Sequence, residues 1–194
     1  RLGQPPAMRK FDCLIIGAGA AGMMCAAEAG KRGRSVLIVD QADAPGEKIR
    51  ISGGGRCNFT NLRTAPENFL SENRRFCISA LRRYTQRDFI ALVEKHNIAY
   101  HEKTLGQLFC DGSAKAIIDM LLAELGETGA QMELSTRVDG IERQGEGFRA
   151  ALSSGPVEAA SVVIASGGKS IPKMGATGFA YSIADQFGIR VIEP

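Results

Sequence analysis

The sequence lacks several features that would assign it to other classes of protein. No uninterrupted apolar run approaches the roughly 18 residues that a membrane-spanning helix needs, so no membrane association is expected. The five cysteines stand at positions 13, 25, 57, 77 and 110 without a C-x-x-C pair, which argues against a catalytic dithiol and favours a reducing cytoplasm. The net charge of +3 is too small to imply a nucleic-acid partner by itself, and none is expected.

Patterns typical of catalytic and metal sites are missing as well. The two histidines, His96 and His101, match no metal-ligand spacing, so no metal is expected. The chain also has no recognisable Ser-His-Asp set, acid pair or phosphoryl-transfer lysine motif. No catalytic residue is therefore assigned.

What the sequence does contain is a strand–turn–helix–strand–acid pattern between Phe11 and Asp40. The apolar run Phe11–Ile16 predicts a strand that is buried on both faces. The alanine-rich stretch Ala20–Lys31 predicts a helix, and Ser35–Val39 predicts a second buried strand. This order of elements is typical of a dinucleotide-binding unit.

The glycines of this unit have the spacing G-x-G-x-x-G. Gly17 permits a tight turn, Gly19 lets the backbone approach a pyrophosphate, and Gly22 lets the helix pack closely. The free N–H groups at the start of the helix favour the phosphates. Asp40 follows Gly17 by 23 residues, where a carboxylate can accept hydrogen bonds from ribose hydroxyls and repel the 2′-phosphate of NADP.

A secretory signal peptide is an alternative interpretation of the same stretch. Arg9 and Lys10 precede Cys13–Ala27, an uncharged apolar run that resembles a signal-peptide core. Three glycines interrupt that run, however, and a second strand ending in an acid follows at the expected distance. The dinucleotide-binding interpretation is therefore favoured.

The next segment, Gln41–Asn61, is predicted to be a loop that presses against a ligand. It contains three consecutive glycines, Gly53–Gly55, which fit poorly inside a helix or strand. Cationic and polar side chains surround them: Lys48, Arg50, Ser52, Arg56, Asn58 and Thr60. A flexible solvated loop is the alternative, although flexible linkers seldom combine glycine with Arg, Cys and Asn so densely.

Residues 1–7 are predicted to be a disordered lead, and residues 8–194 to form one domain with a mainly helical insertion at about 68–129. Helices are predicted over Phe69–Tyr84, after a capping box at Thr85 and Asp88, and after Ser113. Five arginines form a basic cluster: Arg74, Arg75, Arg82, Arg83 and Arg87. A solvated helix face is the favoured interpretation of this cluster, since aromatic residues interleave it only sparsely.

Strands are predicted again after the insertion, at Gln131–Val138, Gly147–Leu152 and Val157–Ala160. The buried run Ser161–Ala165 then predicts a return to the parallel sheet. It leads into Ser166, Gly167 and Gly168, a glycine turn at the carboxyl end of a strand, where ligands bind in open α/β sheets. A last helix is predicted at Gly178–Phe187, with Thr177 as its cap.

Three separated stretches resemble one family of proteins. GAGAAG at Gly17–Gly22 is shared with many flavoproteins, whereas KIRISGGGRCNFTN at Lys48–Asn61 resembles a signature of the BaiN/YhiN-like family of bacterial FAD-dependent oxidoreductases. ASGGKSIPKMGATGFAY at Ala165–Tyr181 resembles a second signature, with Ser166 where Thr is usual and Ala180 where Gly is common. The resemblance spans nearly the whole chain from Met8 onward.

This resemblance implies an α/β fold: a Rossmann-like FAD-binding domain with a parallel sheet, a small β-meander and a helical insertion. It also implies that the chain is the amino-terminal half of a flavoprotein, truncated before the substrate domain. The implied FAD-binding residues contact the pyrophosphate, the adenosine, the ribityl chain or the flavin: Gly17, Gly19, Ala21, Gly22, Asp40, Lys48, Ser52, Gly54, Arg56, Asn58, Val138 and Gly167. Val138 is expected to meet the adenine through its backbone at the end of the strand before the meander.

The activity implied by the resemblance is transfer of hydride from NAD(P)H-reduced FAD to a small organic substrate. Two alternatives stay open, namely a flavoprotein acting on RNA, which the arginine cluster invites, and a non-catalytic nucleotide-binding fragment. The substrate, the preferred nicotinamide and the oligomeric state are not specified by the sequence.

Overall fold

The computed structural model describes residues 8–168 and 178–192 of the chain. The strands are β1 (Arg9–Ile16), β2 (Val36–Val39), β3 (Asn58–Asn61), β4 (Tyr100–Glu102), β5 (Gln107–Cys110), β6 (Gln131–Glu133), β7 (Val138–Gln144), β8 (Gly147–Leu152) and β9 (Val157–Ile164). The helices are α1 (Ala20–Lys31), α2 (Glu47–Ile51), α3 (Ile78–Arg83), α4 (Gln86–Lys95), α5 (Lys115–Gly126) and α6 (Phe179–Gln186). The chain forms two compact units, one comprising Lys48–Met120 and the other the residues on either side of it.

The first unit, formed by the residues that flank Lys48–Met120, is built on a six-stranded sheet in the order β6-β2-β1-β9-β8-β7. β6, β2, β1 and β9 are parallel, whereas β8 and β7 are antiparallel to their neighbours. β1 pairs with β9 along its whole length, from Arg9 opposite Val157 to Ile16 opposite Ile164. The carboxyl ends of β1, β2 and β9 therefore lie at one edge of the sheet.

Helices cover both faces of the parallel part of this sheet. On one face, α6 packs through residues such as Phe179 and Ile183 on the core around Leu14 and Leu37. On the other face, α1 lies so close that a Cβ at Gly22 would be 3.4 Å from the Cδ1 atom of Ile38. Burial on both faces explains why the second half of β1, from Cys13 to Ile16, and the whole of β2 are continuous apolar runs. The predicted Rossmann-like α/β fold with a parallel sheet is confirmed.

The strand predictions after the insertion were wrong in two places. The strand predicted at Gln131–Val138 ends at Glu133, and Ser135 has a φ of 50°, which breaks the extended backbone. Val138 consequently begins β7 of the meander and does not end the strand before it. Val157–Ala160 and Ser161–Ala165 were predicted as separate strands, but they form the single strand β9, in which the Ser161 hydroxyl donates to the carbonyl oxygen of Asp12 (2.9 Å).

The second unit, Lys48–Met120, contains a three-stranded antiparallel sheet in the order β3-β5-β4 as well as helices. The rings of Phe59 on β3 and Phe89 on α4 have centroids 6.1 Å apart. The capping box predicted at the start of α4 is confirmed, because the Thr85 hydroxyl and the Asp88 carboxylate each bond the other residue's backbone N–H. The predicted loop at 41–61 is wrong in part, since it includes α2, a 3₁₀ turn at Ser52–Gly55 and β3.

The helix predicted over Phe69–Tyr84 is also wrong, since only α3 is α-helical there. The Ser71 hydroxyl accepts a hydrogen bond from the Asn73 N–H (3.1 Å), and the Asn73 side chain accepts one from the Arg75 N–H (3.1 Å). Such local bonds satisfy backbone donors outside a helix and compete with helix formation. The backbone therefore stays in turns until Ile78.

Candidate nucleotide-binding site

The turn between β1 and α1 can be made only by glycine at its first position. Gly17 has a φ of +114°, and its N–H donates to the carbonyl oxygen of Val39 on β2 (2.8 Å). A Cβ at Gly17 would lie 2.4 Å from the carbonyl oxygen of Ala165, directly after β9. The turn is thus held between the carboxyl ends of β2 and β9, with no room for a side chain.

Gly22 and Gly19 differ in what surrounds them. A Cβ at Gly22 would lie 1.8 Å from the carbonyl oxygen of Gly17, so the close approach of α1 to the turn requires glycine there. At Gly19, by contrast, no heavy atom of a described residue lies within 4 Å of the Cβ position. One glycine serves internal packing, whereas the other borders open space at the start of the helix.

The first turn of α1 offers hydrogen-bond donors to that open space. The first hydrogen bond within the helix joins the Met23 N–H to the Gly19 carbonyl oxygen (2.9 Å). The N–H groups of Ala20, Ala21 and Gly22 therefore have no partner within the helix. Gly19 provides no side-chain cap, and the first turn carries no acidic residue. The positive end of the helix dipole and these donors together favour a bound anion.

Asp40 places a carboxylate beside the same turn. Its Oδ2 accepts a hydrogen bond from the Ala18 N–H (2.7 Å), and its Oδ1 accepts one from the Ala42 N–H (2.9 Å). Its backbone is fixed too, because its N–H donates to the Glu133 carbonyl oxygen (3.0 Å) and its carbonyl oxygen accepts from the Thr136 N–H (2.8 Å). Each carboxylate oxygen retains a lone pair, which could accept a hydrogen bond from a ribose hydroxyl.

A cavity of about 400 Å³ adjoins the turn, which is within the roughly 300–1,000 Å³ typical of small-molecule sites. Three residues that the sequence analysis selected line it, namely Gly17, Asp40 and Val138. The lining residues that were not selected as site residues include Gln41, Thr136, Arg137, Phe179 and Ser182. Thr136 and Arg137 directly precede Val138, which was the only signal in the sequence that could have indicated them.

The other predicted residues of the first unit lie near this edge of the sheet. Ala21 is exposed on the first turn of α1. Gly167, with a φ of +76°, follows Ser166, which lines the cavity. The predicted cap Thr177 and much of the second signature lie outside the described residues.

The remaining predicted residues belong to the second unit. Lys48 lies on α2, and Gly54 and its neighbouring glycines all have positive φ values. Two hydrogen bonds secure this turn, from the Ala114 N–H to the Gly55 carbonyl oxygen (2.7 Å) and from the Cys110 N–H to the Arg56 carbonyl oxygen (3.0 Å). Ser52 belongs to the 3₁₀ turn, whereas Asn58 begins β3. The segment is therefore an ordered turn and not a flexible linker.

The cysteines near this turn are poorly suited to nucleophilic chemistry. Cys57 and Cys110 are both buried in the second unit, with 5% and 0% exposure. Burial raises the pKa of the Cys57 thiol, and burial together with nearby Cys57 and Asp111 raises the pKa of Cys110 to about 11. Since the thiolate is the reactive form, the raised pKa values lower the reactivity of both thiols at neutral pH.

The open position at Gly19, the first-turn amides of α1, the Asp40 carboxylate and the adjoining cavity fit an adenine dinucleotide. The fold and this edge of the sheet are those of a Rossmann-like, dinucleotide-binding domain. The chain belongs to the HI0933-like protein Rossmann domain family, whose model matches residues 11–194.

Among its relatives is the ribosomal RNA dihydrouridine synthase of Escherichia coli K12, 53% identical over 185 residues that cover 95% of this chain and 46% of the relative. The 3-dehydro-bile acid delta(4,6)-reductase of Clostridium scindens is 26% identical over 178 residues, covering 90% of this chain and 43% of that protein. A similar solved structure is the 3-ketosteroid-delta4-(5alpha)-dehydrogenase of Rhodococcus jostii RHA1, with a TM-score of 0.62 and 16% sequence identity. The match covers 86% of this chain and 47% of that protein. The chain thus spans about half the length of the curated relatives it matches.

One of these comparisons bears on an expectation about partners. The E. coli relative is named for an activity on ribosomal RNA, which stands against the expectation that nucleic acid is not a partner. In the part of the chain that the structure describes, every helix is too short or too polar to cross a membrane.

Proposed function

We propose that the protein to which this chain belongs is an FAD-dependent reductase that converts uridine in ribosomal RNA to dihydrouridine, using NAD(P)H as the source of hydride. The observation that carries the assignment of an adenine dinucleotide is the Asp40 carboxylate, held 2.7 Å from the Ala18 N–H at the mouth of the glycine turn. The choice of FAD is supported by the resemblance of Lys48–Asn61 to a flavoprotein signature. The choice of RNA is supported by 53% identity to a relative with that named activity.

Each part of the site has a role in holding the cofactor. The pyrophosphate is assigned to the helix N-terminus and the adenosine ribose to Asp40, with the adenine at the backbone of Val138. Gly167 is assigned to the ribityl chain. The group assigned to the pyrophosphate or flavin from the second unit is Lys48, Ser52, Gly54, Arg56 and Asn58.

The chemistry follows from the cofactor and the substrate. Bound FAD supplies hydride transfer between a nicotinamide and an electron-poor double bond. Formation of dihydrouridine adds one hydride and one proton across the C5–C6 bond of uracil, while NAD(P)H is oxidised to NAD(P)⁺. The residues of this chain bind and orient the cofactor, and the carboxylate of Asp40 disfavours a 2′-phosphate on the ribose that it contacts.

A second candidate is the reduction of a small unsaturated organic substrate. The C. scindens relative, at 26% identity, is named for such a reaction on a bile acid. Both names describe the saturation of carbon–carbon double bonds, so the two candidates differ in the substrate and agree on the cofactor.

The test uses the full-length protein and two aspartate variants. Asp40→Ala removes the carboxylate at the turn, whereas Asp43→Ala removes an exposed carboxylate from the same loop and serves as the matched control. Because a hydrogen bond to a charged group contributes about 1.5–3 kcal/mol, we expect Asp40→Ala to weaken FAD binding about 10- to 100-fold. Thermal melting of Asp40→Ala without FAD measures separately how much stability is lost with the two hydrogen bonds that the carboxylate accepts from the Ala18 and Ala42 N–H groups.

Product formation distinguishes the two candidates. The protein is incubated with NADH or NADPH and with ribosomal RNA from cells that lack it, and dihydrouridine is measured by mass spectrometry of nucleosides. Equal FAD affinity in the two aspartate variants would refute the cofactor assignment. Flavin that is bleached by NAD(P)H without any dihydrouridine would refute the RNA reaction and favour a small substrate.

A further inference from the structure

The positive charge of the chain is concentrated in one segment of the second unit, Phe69–Arg87, named here the arginine segment. It holds five of the 24 basic residues and, in Glu72, one of the 21 acidic residues. Since the whole chain has a net charge of +3, the arginine segment carries +4 and all the other residues together carry −1. The basic character of the protein is therefore a property of this segment.

The five arginines of the segment are exposed. Within the described ranges, none of their guanidinium groups forms an ion pair with a carboxylate. Three of them, Arg75, Arg82 and Arg83, line an open groove of about 450 Å³ together with Ile78 and Ser79. The groove thus presents a row of guanidinium groups that lack an acidic partner among the described residues.

Exposed apolar side chains accompany these charges. Phe76 directly follows Arg75 and is 81% exposed, and Leu70 is 96% exposed. Phe69 is also exposed, at 45%. The aromatic residues that looked sparse in the sequence are therefore displayed at the surface beside the arginines, where a solvated helix face would carry polar groups.

We propose that the arginine segment binds single-stranded RNA, with the groove arginines on the phosphates and Phe76 stacked on a base. This proposal rests on the proposed function, in which RNA is the substrate. Guanidinium groups match the geometry of phosphate oxygens, and an aromatic ring stacks on any base. A positively charged groove combined with an exposed ring is the arrangement that proteins use for single strands.

The first test compares two triple variants of the full-length protein that remove the same charge. The groove variant is R75Q/R82Q/R83Q, and the control is R34Q/R143Q/R149Q, which changes exposed arginines of the first unit. The probe is a fluorescein-labelled oligouridylate of about 16 nucleotides, the upper site size of a single-strand-binding module. The slope of the logarithm of the RNA association constant against the logarithm of salt concentration is negative, and each lost phosphate contact reduces its magnitude by about 0.7. The groove variant, with three arginines removed, should therefore have a slope smaller in magnitude by about 2. The control should keep the slope of the unaltered protein.

The second test concerns the ring of Phe76. Phe76→Leu keeps an apolar side chain but removes the stacking surface, and we expect RNA affinity to fall about 5- to 100-fold. Phe76→Tyr keeps the ring and should restore affinity. The proposal would be overturned if the groove and control variants lost RNA affinity and salt dependence equally. It would also be overturned if polyglutamate displaced the labelled RNA as effectively as unlabelled RNA does.

Two further readouts separate this proposal from the proposed function. The FAD spectrum and NAD(P)H oxidation with oxygen as acceptor should be unchanged in the groove variant. If the unaltered protein forms no dihydrouridine while the groove variant still loses the salt slope, the proposed function fails and the RNA-binding surface stands. If dihydrouridine forms and the KM for RNA is unchanged in the groove variant, the surface proposal fails and the proposed function stands.

Discussion

Substituting alanine at Gly19 and at Gly22 should separate folding from cofactor binding within one turn. Gly22→Ala would place a Cβ 1.8 Å from the carbonyl oxygen of Gly17, whereas real Cβ atoms essentially never come within 3.0 Å of another atom. Because the clashing atom belongs to the backbone, the start of α1 must move away from the turn. The same methyl group at Gly19 meets no described heavy atom within 4 Å.

The expected magnitudes differ accordingly. Overpacking typically costs about 1–3 kcal/mol, and the backbone clash puts Gly22→Ala at about 3 kcal/mol. At about 2–4 °C per kcal/mol for a domain of this size, the melting temperature should fall by about 6–12 °C. Gly19 has φ −82° and ψ −172°, which alanine adopts freely. Alanine is a weaker N-cap than glycine, but it also lowers the conformational entropy of the unfolded chain. Because the two effects oppose each other, the free energy of unfolding of Gly19→Ala should change by no more than about 1 kcal/mol.

The assay is thermal melting of the full-length protein with and without FAD, together with FAD titration. Gly19→Ala should melt like the unaltered protein without FAD but bind the cofactor at least about 10-fold more weakly, since its methyl group enters the space assigned to the pyrophosphate. Gly126→Ala, at the end of α5 with no described atom within 4 Å of the new Cβ, is the control and should affect neither property adversely. Unchanged melting in Gly22→Ala, or unchanged FAD affinity in Gly19→Ala, would refute the reasoning.

Two further predictions concern stability. The Lys31 ammonium lies 2.5 Å from the carboxylate of the buried Glu124, so Lys31→Met should lower the free energy of unfolding, measured in urea, by about 2 kcal/mol. This loss is smaller than that for a fully buried ion pair because Lys31 is partly exposed. Lys31→Arg keeps the positive charge and should retain most of the stability. The bond to Glu124 raises the pKa of Lys31, so this contribution is complete below the ordinary lysine pKa and is lost as pH rises through the raised value. The hydrogen bonds from Thr85 lower the pKa of Asp88, so the capping contribution is complete above the ordinary aspartate pKa and is lost as pH falls through the lowered value. In urea unfolding at a series of pH values, Thr85→Ala should reduce the loss of unfolding free energy that accompanies protonation of Asp88. An acid-induced loss as large as that of the unaltered protein would contradict the assignment.

The sequence predicted the parts of the fold that depend on local rules. The helix Ala20–Lys31 was predicted with the bounds that the structure shows, because glycine and alanine content and the flanking turn specify it locally. β9 was predicted as two pieces because its continuity comes from pairing with β1, nearly 150 residues away. The stretch before α3 was mispredicted because side-chain bonds at Ser71 and Asn73 outweigh helix propensity.

In the candidate site, too, residues fixed by local spacing could be predicted from the sequence, whereas residues placed by tertiary packing could not. Gly17 and Asp40 could be selected because their roles depend on a fixed spacing between adjacent elements. Phe179 and Ser182 could not, since they reach the cavity only through the docking of α6 on the core of the sheet. That docking is set by the packing of Phe179 and Ile183, which no spacing rule encodes.

Under the proposed function, different residues select the cofactor and the substrate. The glycine turn presents backbone amides and one carboxylate, groups that specify a dinucleotide but are indifferent to what is finally reduced. Relatives of this chain are named for RNA and for a bile acid, so the proposed choice of RNA is expected to depend on side chains outside the glycine turn. The arginine segment has the charge to bind a polyanion, since it carries +4 whereas all the other residues together carry −1. Under the proposed function, neutralising the arginine segment should therefore weaken RNA binding by the full-length protein, whereas reduction of the flavin by NAD(P)H should be unchanged.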